Sequence, residues 1–492
     1  MNLGNLASLD FFYPEIIISV TILLVIALDL VLENKKALGV LAIAGCLGSL
    51  WATLELYGAP GGWLFHRMIV LDNFSLFFKL VALAATILVI WMSSASREIE
   101  QVRQGEYLAL LLSSTLGMFF MASSTNLLMA YLALEFVSIA SYILTGFLPR
   151  NRRSSEAALK YLIYGGVASG AMIYGMSWIF GMTGSLDYAM IHQALLQGQP
   201  NRLALFIAVV FILAGFGYKI VFVPFHMWSP DVYQGAPTPV TAFLSVGSNA
   251  AGVAILVRFF FPALSHPGPD GSWQFISGVE WPQFLLMVSM VTMTLGNLSA
   301  LNQQNVKRML AYSGIAHAGY ILMGLVVLNN EGLQAVLFYI VVYLIMNLGA
   351  FLVVIVVANA TGKEDIDVYR GLAWRGAAVP AIAMAIFVFS LTGLPPFAGF
   401  VGKFFLFAAV IKQEFYLLAV VAVINSVISL YYYARIVKVM FLDFPEPADG
   451  QIEMSPNAAI MLGLLSALTL FFGVYWGPLV AFTNQSLKFF VK

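Results

Sequence analysis

The chain has 492 residues, 61% of them hydrophobic and only 10% charged, with a mean hydropathy of +0.90. Soluble domains carry about 25% charged residues, so this composition excludes a large soluble protein and predicts an all-α, polytopic transmembrane fold. A formal net charge of zero gives no pull toward nucleic acid or an acidic substrate. The single Cys46 excludes a disulfide framework and any cysteine-held metal or iron–sulfur site within the chain. Gly215-Phe216-Gly217 lacks a third glycine, and Gly402-Lys403 has no Ser or Thr after it, so no nucleotide site is expected here.

Met1 to Asp10 carries no basic run, and Glu33-Asn34-Lys35-Lys36 follows the first apolar stretch where a small-residue cleavage site would stand. That stretch reads as a retained helix. Runs of about 20 apolar residues predict fourteen spans: 13–33, 37–57, 74–95, 107–122, 125–148, 157–183, 203–224, 238–262, 281–301, 309–329, 335–358, 377–412, 415–440 and 457–478. The twelfth is too long for one straight helix, and Leu394-Pro395-Pro396-Phe397-Ala398-Gly399 divides it. The seventh ends at Pro224 and runs into the Gly/Pro-rich stretch Ser229 to Pro239.

Orientation follows from Lys and Arg in the short loops. With the N-terminus outside, fifteen of the twenty-four basic residues fall inside: Lys35, Lys36, Arg97, Arg103, Arg150, Arg152, Arg153, Lys160, Lys307, Arg308, Lys363, Arg370, Arg375, Arg435 and Lys438. Six fall outside: Arg67, Arg202, Arg258, Lys412, Lys488 and Lys492. The bias predicts that both termini lie outside.

The remaining three, Lys79, Lys219 and Lys403, lie within spans, and Glu135 is the carboxylate near the middle of one. A charge at a helix centre costs ~2.5–3.5 kcal/mol on insertion scales, so such residues face a polar interior and mark ion or proton paths. Lysine gives up its proton more readily on burial than arginine does, and a desolvated Lys or Glu can exchange protons near neutral pH. Each residue also has a plainer reading. Lys79, one to two turns into its helix, can snorkel to the surface. Glu135 and Lys219 can form a structural salt bridge. His317 suits a proton relay and equally suits hydrogen-bonded packing. His226 and Asp231, after the seventh span, belong at the interface or lining a proton inlet. The five histidines do not cluster at metal-ligand spacing.

Lys219 and Lys403 each stand beside a proline-containing break, five spans apart. An odd offset inverts topology, which predicts two inverted five-helix repeats with broken helices 7 and 12. Within a single membrane domain over 1–492, these would be spans 4–8 (107–262) and 9–13 (281–440). Three helices precede them (13–95) and one follows (457–478).

Three stretches carry a resemblance: Phe216-Gly217-Tyr218-Lys219 through Pro224-Phe225-His226-Met227-Trp228 to Gln234-Gly235-Ala236-Pro237-Thr238-Pro239-Val240; Lys307-Arg308-Met309-Leu310-Ala311-Tyr312-Ser313; and Leu391-Thr392-Gly393-Leu394-Pro395-Pro396-Phe397-Ala398-Gly399-Phe400 with Lys403. Nearly the whole chain resembles the antiporter-like, proton-translocating subunits of respiratory complex I, related hydrogenases and multi-subunit cation/proton antiporters. It is most similar to the subunit N branch (subunit 2 in organelles) of NADH-quinone oxidoreductase. Lys403 stands where the M branch typically has glutamate, and the lateral helix of the L branch is not expected. The opening Phe11 to Ile18, with Pro14-Glu15, also looks like this branch.

The resemblance implies proton transfer through Glu135 in the fifth span, Lys219 in the seventh and Lys403 in the twelfth. The usual eighth-span lysine is replaced by Asn249, which binds water but stores no proton, so water near Ser313 or His317 would bridge the gap. It also implies a translocase subunit without a redox centre of its own, in a cell inner membrane. FMN, iron–sulfur clusters and quinone would belong to partner subunits, membrane and peripheral. The rival reading is a subunit of a cation/proton antiporter or membrane-bound hydrogenase. A third is a scaffold subunit with an inactive pump.

Overall fold

The computed structural model describes residues 3–99, 103–198, 201–268, 272–276, 280–446 and 450–487. Lys488 and Lys492, two of the expected outside cations, lie beyond the described residues. Fifteen helices build the transmembrane body: α1 Tyr13–Asp29, α2 Lys36–Glu55, α3 Asn73–Ala95, α4 Gln104–Ser123, α5 Leu127–Thr145, α6 Arg152–Thr183, α7 Arg202–Ile220, α8 Thr238–Leu264, α9 Trp281–Leu301, α10 Val306–Val326, α11 Asn330–Thr361, α12 Ala378–Thr392, α13 Ala398–Lys412, α14 Tyr416–Phe441 and α15 Pro456–Val474. α12 and α13 are the two halves of the expected twelfth span. At 15 residues each, neither half, about 22 Å long, crosses a ~30 Å hydrocarbon core. The element order therefore follows the fourteen spans read from hydropathy.

Polar side chains set the helix starts. Asn126, Asn151, Asn201, Asn305 and Asn329 each accept a backbone N–H in the first turn of α5, α6, α7, α10 and α11, satisfying donors that hydrocarbon would leave bare. α8, α10 and α11 are buried on nearly every side and form the centre, whereas α2 and α15 keep most of their surface outward.

The two halves repeat their devices. α6 and α11 are both 32 residues long and end in Thr-Gly, with Gly184 and Gly362 at φ 69° and 68°. In each case the threonine hydroxyl, Thr183 or Thr361, lies within hydrogen-bond reach of a carbonyl one turn back and of one two residues ahead. Three residues beyond each glycine an aspartate bridges back to the cap of an earlier helix, Asp187 to Asn126 and Asp365 to Asn305. α10 comes five spans after α5, an odd offset, so these matched knots sit on opposite faces of the membrane.

Several features were not expected from hydropathy. Gly62–Leu64 pairs with Ile69–Leu71, and Ser265–Pro267 with Trp273–Phe275, as two hairpins in the loops before α3 and α9. A short helix, Tyr188–Gln197, lies between α6 and α7. Within α8, Leu244–Ser248 winds as a π-helix.

Candidate proton-transfer axis

α7 ends in the left-handed residue Val221 (φ 70°), whose N–H bonds to the Gly217 carbonyl at 2.8 Å. The Trp228 indole N–H closes the opening by donating to the Tyr218 carbonyl at 3.0 Å. Lys219 thus lies in the last turn of a broken helix, where the negative end of the helix dipole favours a cation. The residue is 1% exposed, and its ammonium donates to Ser138 Oγ of α5 at 3.4 Å.

One turn earlier on α5, the half-buried Glu135 accepts from the Ser169 hydroxyl of α6. No ion pair within 4.0 Å joins Glu135 to Lys219. Lys219 of α7 therefore reaches α5 one turn from Glu135, but each expected partner is held by a serine.

Lys403, also buried, sits in the second turn of α13 and donates to the Thr392 carbonyl (2.9 Å) at the end of α12 and to Ser426 Oγ (3.2 Å). Its ammonium lies 4.4 Å from the Tyr320 ring centroid. Gly393 ends α12 at φ 93°, and a Cβ there would stand 2.8 Å from Lys403 Cδ. Both lysines therefore stand at the carboxyl end of an interrupted helix, Lys219 within its last turn and Lys403 bonded to its last carbonyl.

His317 is buried on α10, twelve residues after the cap Asn305, as Ser138 lies twelve residues after the cap Asn126. Its Nδ1 is 2.6 Å from Tyr339 OH and its Nε2 3.5 Å from Tyr433 OH, which in turn bonds Ser313. The Tyr320 ring, 5.7 Å from the imidazole, lies between His317 and Lys403.

The centre is built on the π segment. Asn249 Nδ2 donates to the Ser245 carbonyl at 3.1 Å, and Asn347 Nδ2 of α11 donates to Ser245 Oγ at 2.8 Å. The Oδ1 atoms of Asn249 and Asn347 and the hydroxyl of Tyr343 are buried without a protein partner, and the Tyr343 ring is 5.0 Å from His317. Such atoms call for water, and single π-turns inside helices recur at functional sites. Ser245, Tyr343 and Asn347 did not stand out in the sequence, because neutral polar residues in an apolar run carry no charge signal.

Three expectations need correcting. Lys79 does not snorkel: its ammonium meets the Glu15 carboxylate of α1 at 2.5 Å, with 3% and 0% of the side chains exposed. Glu15 is thus a buried carboxylate too, in the first turn of its span rather than near its middle. Arg258, counted outside, is buried within α8, where it pairs with Asp72 and donates to the Ala122 carbonyl at 2.9 Å. Of the two interface candidates, His226 is buried, while Asp231 joins Lys160 (2.6 Å) and Arg308 (2.5 Å). Burial raises the Asp231 pKa, but those two cations outweigh it and hold the carboxyl below its usual range.

Buried lysines at the broken helices of two inverted halves, joined by a polar centre, define an antiporter-like membrane subunit. Residues 124–429 match the family described as NADH:quinone oxidoreductase/Mrp antiporter, TM, and the chain belongs to that family. It is 46% identical to NADH-quinone oxidoreductase subunit N of Anaeromyxobacter sp. (strain Fw109-5), over 99% of this chain and 98% of that one. It is 47% identical, over the same shares, to NADH-quinone oxidoreductase subunit N 2 of Sorangium cellulosum (strain So ce56). A chain of respiratory complex I from Thermus thermophilus with bound aureothin superposes with a TM-score of 0.79 at 29% identity, covering 95% of this chain and 98% of that one.

Proposed function

We propose that this chain is the subunit N of a proton-translocating NADH-quinone oxidoreductase, and that Glu135, Lys219, Lys403 and His317 carry its protons. It contributes no redox centre. FMN, iron–sulfur clusters and quinone belong to partner subunits, and the chain lies in an inner membrane with both termini outside. The observation that carries the reading is the pair of replaceable serine contacts around Lys219. Its ammonium rests on Ser138 one turn from Glu135, whose carboxylate rests on Ser169. A direct Lys219–Glu135 pair would take the place of those two serine contacts. Pairing favours the charged lysine and separation disfavours it, so charge or hydration changes driven by electron transfer elsewhere would load and unload the proton.

From Lys219 the path runs through water at Asn249, Ser245 and Asn347, past Tyr343 to His317, and then beside Tyr320 to Lys403. Glu135 also supports an assembled state. It is half-buried beside the outward-facing stripe Leu132, Phe136, Ile139 and Ile143, and a mid-span carboxylate against lipid is costly, so a neighbouring protein surface suits it. The test is purification in mild detergent. Co-purification with NADH-oxidising and quinone-reducing subunits, and NADH-driven proton uptake into vesicles, is expected. Isolation with only cation/proton antiporter subunits would contradict the reading.

A further inference from the structure

A cavity of about 640 Å³ lies between α2, α3 and α4 at the start of α15, away from the lysine axis. Its polar end is formed where helices begin or stop: Lys36 opens α2, Arg97 follows α3 and Gln104 opens α4. Its deeper wall is apolar, from Val40 and Ile43 on α2 and Ile90 on α3, and Val40 is 70% exposed, so the cavity opens sideways to the bilayer. No Asp or Glu lines it among the described residues. Among the described residues the Lys36 ammonium has no side-chain partner, and Arg97 spends one Nη on the Asn359 carbonyl at 3.2 Å, which leaves further guanidinium donors available.

Two cations with no acidic partner among the described residues, above an apolar wall on the basic side of the membrane, match a phosphate headgroup with acyl chains below it. We propose that this cavity is a binding site for one anionic phospholipid, its phosphate held by Lys36 and Arg97 and a chain lying along Val40, Ile43 and Ile90. A bare phosphate would satisfy the cations but leave the apolar wall empty. A neighbouring subunit would have to bring an acidic group.

The test uses the whole detergent-purified complex. Phospholipid retained per complex is counted by mass spectrometry for the wild type, for Lys36→Gln, and for Val40→Trp, which fills the apolar end and keeps both charges. One anionic lipid fewer per complex is expected in both variants. Delipidated wild type is then placed in phosphatidylcholine vesicles with either phosphatidylglycerol or inorganic phosphate. Phosphatidylglycerol alone should raise Tm, and Lys36→Gln should lose that rise. Equal anionic-lipid counts in wild type and variants would overturn the proposal, as would an equal rise with inorganic phosphate. So would a photo-crosslink from position 40 that captures protein and no lipid.

Discussion

Lys79 and Glu15 close an ion pair at 2.5 Å across α1 and α3, with almost no exposed surface on either side chain. Glu15 lies in the first turn of α1, where the positive end of the helix dipole adds to the lysine's pull. Neither carboxylate oxygen has a hydrogen-bond donor beyond that lysine. Removing one partner strands a buried charge, at a cost of about 3–5 kcal/mol, whereas replacing both can be neutral. Lys79→Ala should therefore abolish the assembled complex on native gels, and Glu15→Gln combined with Lys79→Met should restore it. Equal loss in the single and double variants would show that the pair does not act as a unit.

Glu135 tests the contact-exchange account. Glu135→Asp keeps a charge one turn from Ser138, and Glu135→Gln does not. Coupled NADH-quinone reductase activity in membranes should fall to a small fraction with Gln and only partly with Asp. Equal, near-normal rates for both would leave Glu135 a structural role.

Much of this arrangement could be read from hydropathy and some of it could not. Span order followed from apolar length, because a helix that satisfies its own backbone in lipid must carry about 20 apolar residues to cross the hydrocarbon core. Helix starts were less visible. α6 begins at Arg152, five residues before the apolar run, because Asn151 caps it and its first turn is polar. Likewise α10 begins at Val306, behind the cap Asn305. Lys219 and Lys403 were visible as charges beside prolines. Lys79 was visible too, but its partner was not, because Glu15 stands near the start of its span and pairing across α1 and α3 depends on packing. The π segment at Leu244–Ser248 leaves no mark in composition, and neither does the Ser245–Asn347 contact that it positions.

Gly393 should matter through Lys403. Gly393→Ala puts a Cβ at φ 93°, 2.8 Å from Lys403 Cδ. The left-handed backbone alone costs about 1–2 kcal/mol with a side chain, which an assembled complex can absorb. The displaced ammonium would lose its bond to the Thr392 carbonyl. The expected outcome is a complex of normal size whose proton pumping is reduced, scored by acidification of the medium per NADH oxidised. Normal pumping would separate Lys403 geometry from function.

At Asn249 the account expects a wet site. Asn249→Lys would place an ammonium near the Ser245 carbonyl and the unpartnered Asn347 Oδ1, with small neighbours Gly247, Ala250 and Ala251 around it. The variant should assemble and still pump. A dry site would leave that charge uncompensated at a cost of several kcal/mol, and loss of the complex on a native gel would contradict the hydrated path.

The central claim, that Lys219 transfers a proton, is tested most directly by the proton-to-electron ratio of assembled complexes in sealed vesicles. Lys219→Ala should oxidise NADH in an assembled complex while losing most of its pumping. Lys219→Arg should also pump poorly, because arginine keeps the charge but does not release its proton. Assembled Lys219→Ala complexes that pump at the wild-type ratio would contradict the account.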